Sequence, residues 1–164
     1  MDTVEQIVFP YYYSIRPLIN IFILLLLIKS MKYKFLPHTA DVKFKAFGKT
    51  LNQAFENAAL AFSETIAKGD KIKNTKTKEI EVQGQDKENL FYNFLEELIY
   101  LFDAENFVTK NAKVSIKENK LKAKLQGDDA KNYKNLDHVK AMTYAEMKIK
   151  KTTHGWEVQA VLDV

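Results

Sequence analysis

The stretch Val42-Lys43-Phe44-Lys45-Ala46-Phe47-Gly48-Lys49-Thr50-Leu51-Asn52-Gln53-Ala54-Phe55, continued to Ile66, changes its period partway along. Val42, Phe44 and Ala46 alternate with Lys43 and Lys45, the period of a half-buried strand. Gly48 and Lys49 form the exit. Thr50 followed by Gln53 then reads as a capping box, in which a hydroxyl and an amide side chain satisfy two orphan backbone donors at a helix start. Beyond it, Leu51, Ala54, Phe55, Ala58, Ala59, Phe62 and Ile66 fall on one face, the stripe of a helix laid on a core. Gly69 is a natural stop.

The same reading extends in both directions. Tyr33 to Leu36 is a short strand candidate, and Glu79 to Gln83 another, with Ile80 and Val82 inward. Asp86 can cap a second helix whose stripe is Leu90, Phe91, Phe94, Leu95, Leu98, Leu101 and Phe102, which leaves Glu96 and Glu97 to face solvent. Ala112 to Lys117 and Leu121 to Gln126 form a hairpin across Glu118-Asn119. Ala141 to Lys150 and Trp156 to Leu162 form a second hairpin, turning near His154-Gly155. Trp156, Val158, Ala160 and Leu162 share one face; Glu157, Gln159, Val161 and Asp163 share the other. Gly127 to His138, with Asp128, Asp129 and Asp137, reads as a long polar loop. Strands and helices mixed without βαβ repetition imply an α+β fold, a single domain with two main helices packed on a mainly antiparallel sheet.

The chain has 164 residues, 46% hydrophobic and 28% charged, with a net charge of +4 and no Cys. That is ordinary globular composition. It excludes disulfides, thiolate nucleophiles and Cys-ligated zinc, and it fits a reducing compartment. Of the 25 basic residues, only Arg16 and Lys29 precede residue 31, and all the others are lysines. Arg, the residue suited to bidentate phosphate recognition, is absent from that larger part. Base-specific readout of nucleic acid is therefore not expected; a weak charge attraction stays open, and a lysine-rich solvated surface is the reading we favour.

Residues 1–30 differ from the rest. Their uninterrupted apolar run is only Ile21 to Ile28, and Arg16, Pro17 and Asn20 interrupt any window of the roughly 20 residues a bilayer span needs. Asp2 and Glu5 stand where a signal peptide has a basic region. We expect the globular domain to be residues 31–164, with 1–30 a hydrophobic extension outside it and Met31 the native start. A membrane anchor is the rival reading.

Two groups of residues could carry chemistry. In Phe35-Leu36-Pro37-His38-Thr39-Ala40-Asp41, His38 and Asp41 lie three apart just before a strand. Asp163 and Val164 close the chain at the exit of another. Carboxylates with a main-chain carbonyl form an all-oxygen donor set suited to hard cations such as Ca²⁺ or Mg²⁺ rather than zinc. Spacing alone does not raise this set above a strand-capping Asp and a frayed tail. His38 can be a ligand, a general base or a structural hydrogen-bonding residue, and with Asp41 could in principle support metal-assisted hydrolysis. Lys140 and Tyr144, in Val139-Lys140-Ala141-Met142-Thr143-Tyr144, fall on one face of a strand and suit a phosphate or partner contact. No P-loop, GxGxxG or nucleophile elbow is present.

These segments together, in order over residues 31–164, resemble the archease family: Phe35-Leu36-Pro37-His38-Thr39-Ala40-Asp41-Val42, Gly48 to Phe55, Asp86 to Asp103, Val139 to Tyr144, and Trp156 to Val164. The resemblance implies a cytoplasmic accessory protein of tRNA splicing with no catalytic residue of its own. Its partner would be the GTP-dependent tRNA-splicing RNA ligase, whose guanylylation and multiple turnover it promotes and whose nucleotide use it widens, with at most weak tRNA contact and no membrane. The resemblance also implies a divalent cation, Ca²⁺ first and Mg²⁺ or Mn²⁺ next, held by Asp41, Asp163 and Val164. His38, Lys140 and Tyr144 would support the ligands or touch the partner. Ala145 stands where the family often has His. The alternatives are a chaperone or RNA-binding modulator of tRNA-modifying enzymes, and a metal-dependent hydrolase.

Overall fold

The structure, a computed structural model, describes residues 31–164. The expectations for residues 1–30 lie outside the described residues. Residues 32–164 form one compact unit. Its strands are β1 (Tyr33–Leu36), β2 (Val42–Gly48), β3 (Lys76–Gln83), β4 (Phe107–Lys117), β5 (Lys120–Asp129), β6 (Ala141–Thr152) and β7 (Gly155–Asp163). Its helices are α1 (Leu51–Ala67), between β2 and β3, and α2 (Lys87–Glu105), between β3 and β4. The α+β class and the antiparallel pairing are as expected. The strands divide between two sheets, a four-stranded one in the order β1-β2-β7-β6 and a three-stranded one in the order β3-β5-β4.

Both helices bridge the two sheets. α1 packs on β2 and β4, and α2 on β6, β4 and β3. The expected stripes are the core: Ala54, Phe55, Ala58, Ala59, Phe62 and Ile66 from α1 meet Leu90, Phe91, Phe94, Leu95 and Leu98 from α2, all without solvent exposure. Phe55 sits between Phe91 and Phe94, with ring centroids 4.7 and 5.8 Å away. Tilted and offset ring pairs of this kind add stabilisation beyond area burial.

The two helix starts use one device. Thr50 Oγ1 accepts the Gln53 amide (3.2 Å) and Asp86 Oδ1 accepts the Asn89 amide (2.7 Å). The Gln53 and Asn89 side chains reach back to the amides of Lys49 and Gln85, one residue before each cap. At the end of α1, Lys68 rather than Gly69 takes the left-handed cap (φ 47°), and Gly69 follows at φ 90°.

Polar side chains of the helices also accept from amides on two of the edge strands. On edge strand β4, the Val114 amide donates to Glu56 Oε1 (2.9 Å) and the Ile116 amide to Asn52 Oδ1 (3.2 Å). On edge strand β6, the Met142 amide donates to Glu96 Oε1 (2.9 Å). Unpaired edge amides are otherwise templates for aggregation. Glu96 is therefore a bridging residue, not the solvent-facing one that helical periodicity suggests. The periodicity sees only the apolar stripe and misses a flanking carboxylate that finds an edge strand.

Several boundaries also move. β3 begins at Lys76, and the first hairpin runs from Phe107 to Asp129 with a bulge between Thr109 and Asn111. The expected loop from Gly127 is thus strand through Asp129, then a short 3-10 helix, Ala130–Asn132. Asp128 is buried. It accepts hydrogen bonds from the Thr75 hydroxyl, the Tyr133 hydroxyl (2.7 Å), the Asn132 amide group (3.1 Å) and the Asp129 backbone amide (2.9 Å). The Thr75 and Tyr133 hydrogen bonds hold its carboxyl down at about 2. Its charge secures the β5–β6 connection, which composition alone marks as polar loop.

Candidate metal and partner site

Asp41 and the chain end meet because β2 and β7 pair antiparallel. Val42 lies opposite Leu162, so the residue before Val42 falls opposite the residue after Leu162, and Asp41 faces Asp163. Asp163 in turn pairs with Ala141 of β6. The two carboxylates therefore share one end of the four-stranded sheet, and Val164 follows directly.

Lys140 already occupies this corner. Its amide donates to the Asp163 carbonyl (2.8 Å), its ammonium donates to the Val164 carbonyl oxygen (2.7 Å), and the same ammonium lies 3.6 Å from Asp163 Oδ1. Among the described residues, no group of three or more His, Asp or Glu side chains is disposed to hold a metal ion. The implied set differs in kind, with two carboxylates and main-chain or terminal oxygen from Val164. Its chemistry fits a hard divalent cation, and such a cation would compete with the Lys140 ammonium for Val164.

His38 joins this corner to a residue that sequence reading did not single out, Glu146. The imidazole lies between two carboxylates, Nδ1 3.5 Å from Asp41 Oδ2 and Nε2 3.4 Å from Glu146 Oε1. Lys43 Nζ donates to Glu146 Oε2 at 2.5 Å. That hydrogen bond, foremost, holds the Glu146 carboxyl below its usual range. A wide bulge delivers Glu146: β6 and β7 are in register at Thr143–Val161 and again at Lys148–Gln159, so β6 carries three more residues than β7 between these pairs. Glu146 itself adopts φ 57°, and its carbonyl accepts from Gln159 Nε2 (2.7 Å). Ala40, on the other side of His38, has φ 70°. Such non-glycine conformations cost about 1–3 kcal/mol each and persist where surroundings enforce them. A strained residue thus flanks His38 on each side.

Tyr144 lies in the same bulge but turns to α2. Its ring stacks on Tyr92 with centroids 4.1 Å apart and planes 2° apart, and its hydroxyl accepts from Asn89 Nδ2 (2.6 Å). Lys140 precedes β6 and engages the chain end. The two make separate contacts, Lys140 with the chain end and Tyr144 with α2. Ala145 is exposed, its amide donating to Thr143 Oγ1 (3.1 Å). A shallow depression of about 370 Å³ opens beside Asp41, running from Phe35 to Glu64 and Asp137. His138 and His154 are exposed and take no part in this site.

A two-helix, two-sheet α+β domain with an acidic corner formed from its two ends defines a small α+β protein class, and the comparisons give that class a family. The model of the Archease protein family (MTH1598/TM1083) matches residues 33–164. Protein archease of Pyrococcus abyssi is 40% identical over 134 residues, covering 77% of this chain and 94% of that protein. Protein archease of Methanosarcina barkeri is 38% identical over 140 residues, covering 81% and 96%. The solution structure of Methanobacterium thermoautotrophicum protein 1598 is similar at a TM-score of 0.65 and 26% identity, covering 81% of this chain and 99% of that one. The crystal structure of an archease described as a possible chaperone, from Thermotoga maritima, matches the fold at a TM-score of 0.57 and 20% identity, covering 80% and 96%. The chain belongs to the archease family. No helix among the described residues is long and apolar enough to cross a membrane.

Proposed function

We propose that this chain is an accessory protein that activates a GTP-dependent tRNA-splicing RNA ligase, working through the corner formed by Asp41, Asp163 and Val164. The observation that carries the reading is the strand register that brings Asp41 opposite Asp163 in a chain of the archease family. Asp41, Asp163 and Val164 would hold a divalent cation, most simply Ca²⁺. Bound there, it would supply positive charge for a phosphate or carboxylate of the partner. The Lys140 backbone amide holds the Asp163 carbonyl, and Glu146 and Lys43 fix the His38 ring beside Asp41.

The test is a guanylylation and multiple-turnover ligation assay with the cognate ligase. Asp41→Ala or Asp163→Ala should abolish stimulation while thermal unfolding stays cooperative, and deleting Val164 should weaken cation binding. Stimulation by Asp41→Ala at the wild-type level sinks the proposal. A chaperone role is the second reading, favoured by the description of the Thermotoga maritima relative as a possible chaperone. It predicts protection of a client from aggregation that survives Asp41→Ala. A hydrolase reading would need metal-dependent phosphatase or nuclease turnover that is lost in His38→Ala.

A further inference from the structure

The solvent face of the three-stranded sheet carries an arrangement that folding alone disfavours. Lys113, Lys117, Lys120, Lys122 and Lys124 all point outward there. Register sets Lys113 directly opposite Lys124, and Lys117 directly opposite Lys120. Like charges directly opposite on neighbouring strands destabilise a sheet. Partial relief comes from Lys122–Glu81 at 3.1 Å and Lys113–Glu56 at 3.2 Å. Among the described residues, Lys117, Lys120 and Lys124 have no carboxylate within 4.0 Å. Glu79 and Glu81 of β3 also lie on this face, in register directly opposite Lys124 and Lys122, and Glu118 lies in the β4–β5 turn. The four-stranded sheet treats two of its lysines differently: Lys43 and Lys45 sit 2.5 and 2.6 Å from Glu146 and Glu157.

We infer that this face binds the phosphate backbone of a nucleic-acid strand. Its charge is complementary to a polyanion, five lysines against two glutamates across the three strands. The rest of the face points away from a protein partner. Thr77, Gln83, Ser115 and Gln126 complete it, hydroxyls and amides of the kind that hydrogen-bond phosphate and sugar. No large apolar or aromatic side chain stands exposed there, so the buried anchor around which a protein interface forms is missing. Lysines two apart on one strand are about 6.8 Å apart, a spacing comparable with that of successive phosphates along a strand. A shallow trough of about 420 Å³ runs beside Lys122 and Lys124 toward Glu79 and Glu81. With lysine and no arginine, the contact follows the backbone without reading bases. The inference is independent of the ligase reading, because the face belongs to the other sheet from Asp41 and Asp163.

The experiment is fluorescence anisotropy of labelled poly(U) RNA with the full chain, across a salt series. For single strands, log K falls with log salt by about 0.7 per phosphate contact. Lys120→Gln/Lys122→Gln/Lys124→Gln should therefore flatten the slope by about 2. Glu79→Gln/Glu81→Gln should strengthen binding and keeps the proposal testable if the triple variant folds poorly. Lys148→Gln/Lys150→Gln/Lys151→Gln, on β6, should leave the slope unchanged. An equal loss in the β6 variant means diffuse charge attraction and overturns the assignment. Binding of poly-glutamate as tight as that of poly(U) overturns the choice of nucleic acid, and an unchanged slope in the β5 variant together with unchanged affinity in the β3 variant overturns the site.

Discussion

Glu96→Ala isolates how α2 closes the sheet edge next to the candidate site. Glu96 Oε1 accepts the Met142 amide at 2.9 Å, and Met142 is 4% exposed. The Tyr92 hydroxyl approaches the Met142 carbonyl at 3.4 Å, so α2 serves both polar groups of one edge residue. Removing the carboxylate leaves a nearly buried donor with little access to water. Losing a hydrogen bond to a charged acceptor, with the donor left unsatisfied, costs about 2 kcal/mol. In a domain of this size that lowers Tm by about 6–10 °C. It should also speed local opening at Met142 by about 30-fold, at 1.4 kcal/mol per factor of ten.

Amide hydrogen exchange followed by NMR reads this directly. Met142 should lose protection in Glu96→Ala, while Val114 and Ile116, whose amides are held by Glu56 and Asn52, keep theirs. Glu96→Gln retains an acceptor oxygen at the same reach and should restore most of the protection. If Met142 exchanges at the wild-type rate in Glu96→Ala, the edge is held by β7 pairing alone and the bridging role is wrong. If Glu96→Gln behaves like Glu96→Ala, charge rather than the hydrogen bond carries the effect.

Gly155→Ala tests the β6–β7 turn: at φ 132° an added Cβ would stand 2.2 Å from the Gly48 carbonyl oxygen, so urea melts should show a loss of at least about 2 kcal/mol from strain and displacement together. Asp128→Asn tests the acid response. The folded carboxyl is depressed to about 2, so its contribution is present above the ordinary Asp range and fades as pH falls from about 4 toward 2. Stability of the wild type should therefore drop over that window in pH-dependent melts, and Asp128→Asn should show a smaller drop from a lower starting point. Lys140→Gln removes the ammonium that holds Val164, and should tighten terbium binding at the corner about two- to fivefold, the modest effect expected of an exposed charge pair; unchanged luminescence titrations would mean that Lys140 does not compete with the cation.

The fold was legible where side-chain period and burial coincide. The alternation of β2, the α1 and α2 stripes and both helix caps follow from local sequence, and the core they build is the expected one. What local sequence does not encode is which strand neighbours which. The division into two sheets depends on β7 joining β2, and β5 joining β3, across long stretches of chain. The polar stretch after Gly127 misleads for a related reason. Asp128 looks like a loop residue until Thr75, 53 positions earlier, supplies a hydroxyl to its carboxylate.

The site divides along the same line. Asp41 and Asp163 can be suspected because each sits at a strand end, and antiparallel register then places them together. Glu146 could not be found this way, since strand parity fails inside a bulge whose length only the β6–β7 register reveals. The structure marks the place: Gln159 lies on the solvent-facing parity of β7 yet is 4% exposed, and its side chain donates to the Glu146 carbonyl. A polar residue buried on an outward face implies that something folds over it, and here that covering segment is the one that brings a second carboxylate to His38. The local order around Asp41 thus depends on β6 as much as on the loop that carries Asp41. Glu146→Gly separates the two contributions, because it relaxes the left-handed backbone while deleting the carboxylate. Melting temperature should hold or rise, while the His38 ring resonances, tracked by NMR, shift and broaden as the ring loses its Nε2 partner. Ring resonances that stay sharp and unmoved would assign the order of the His38–Asp41 segment to that loop alone.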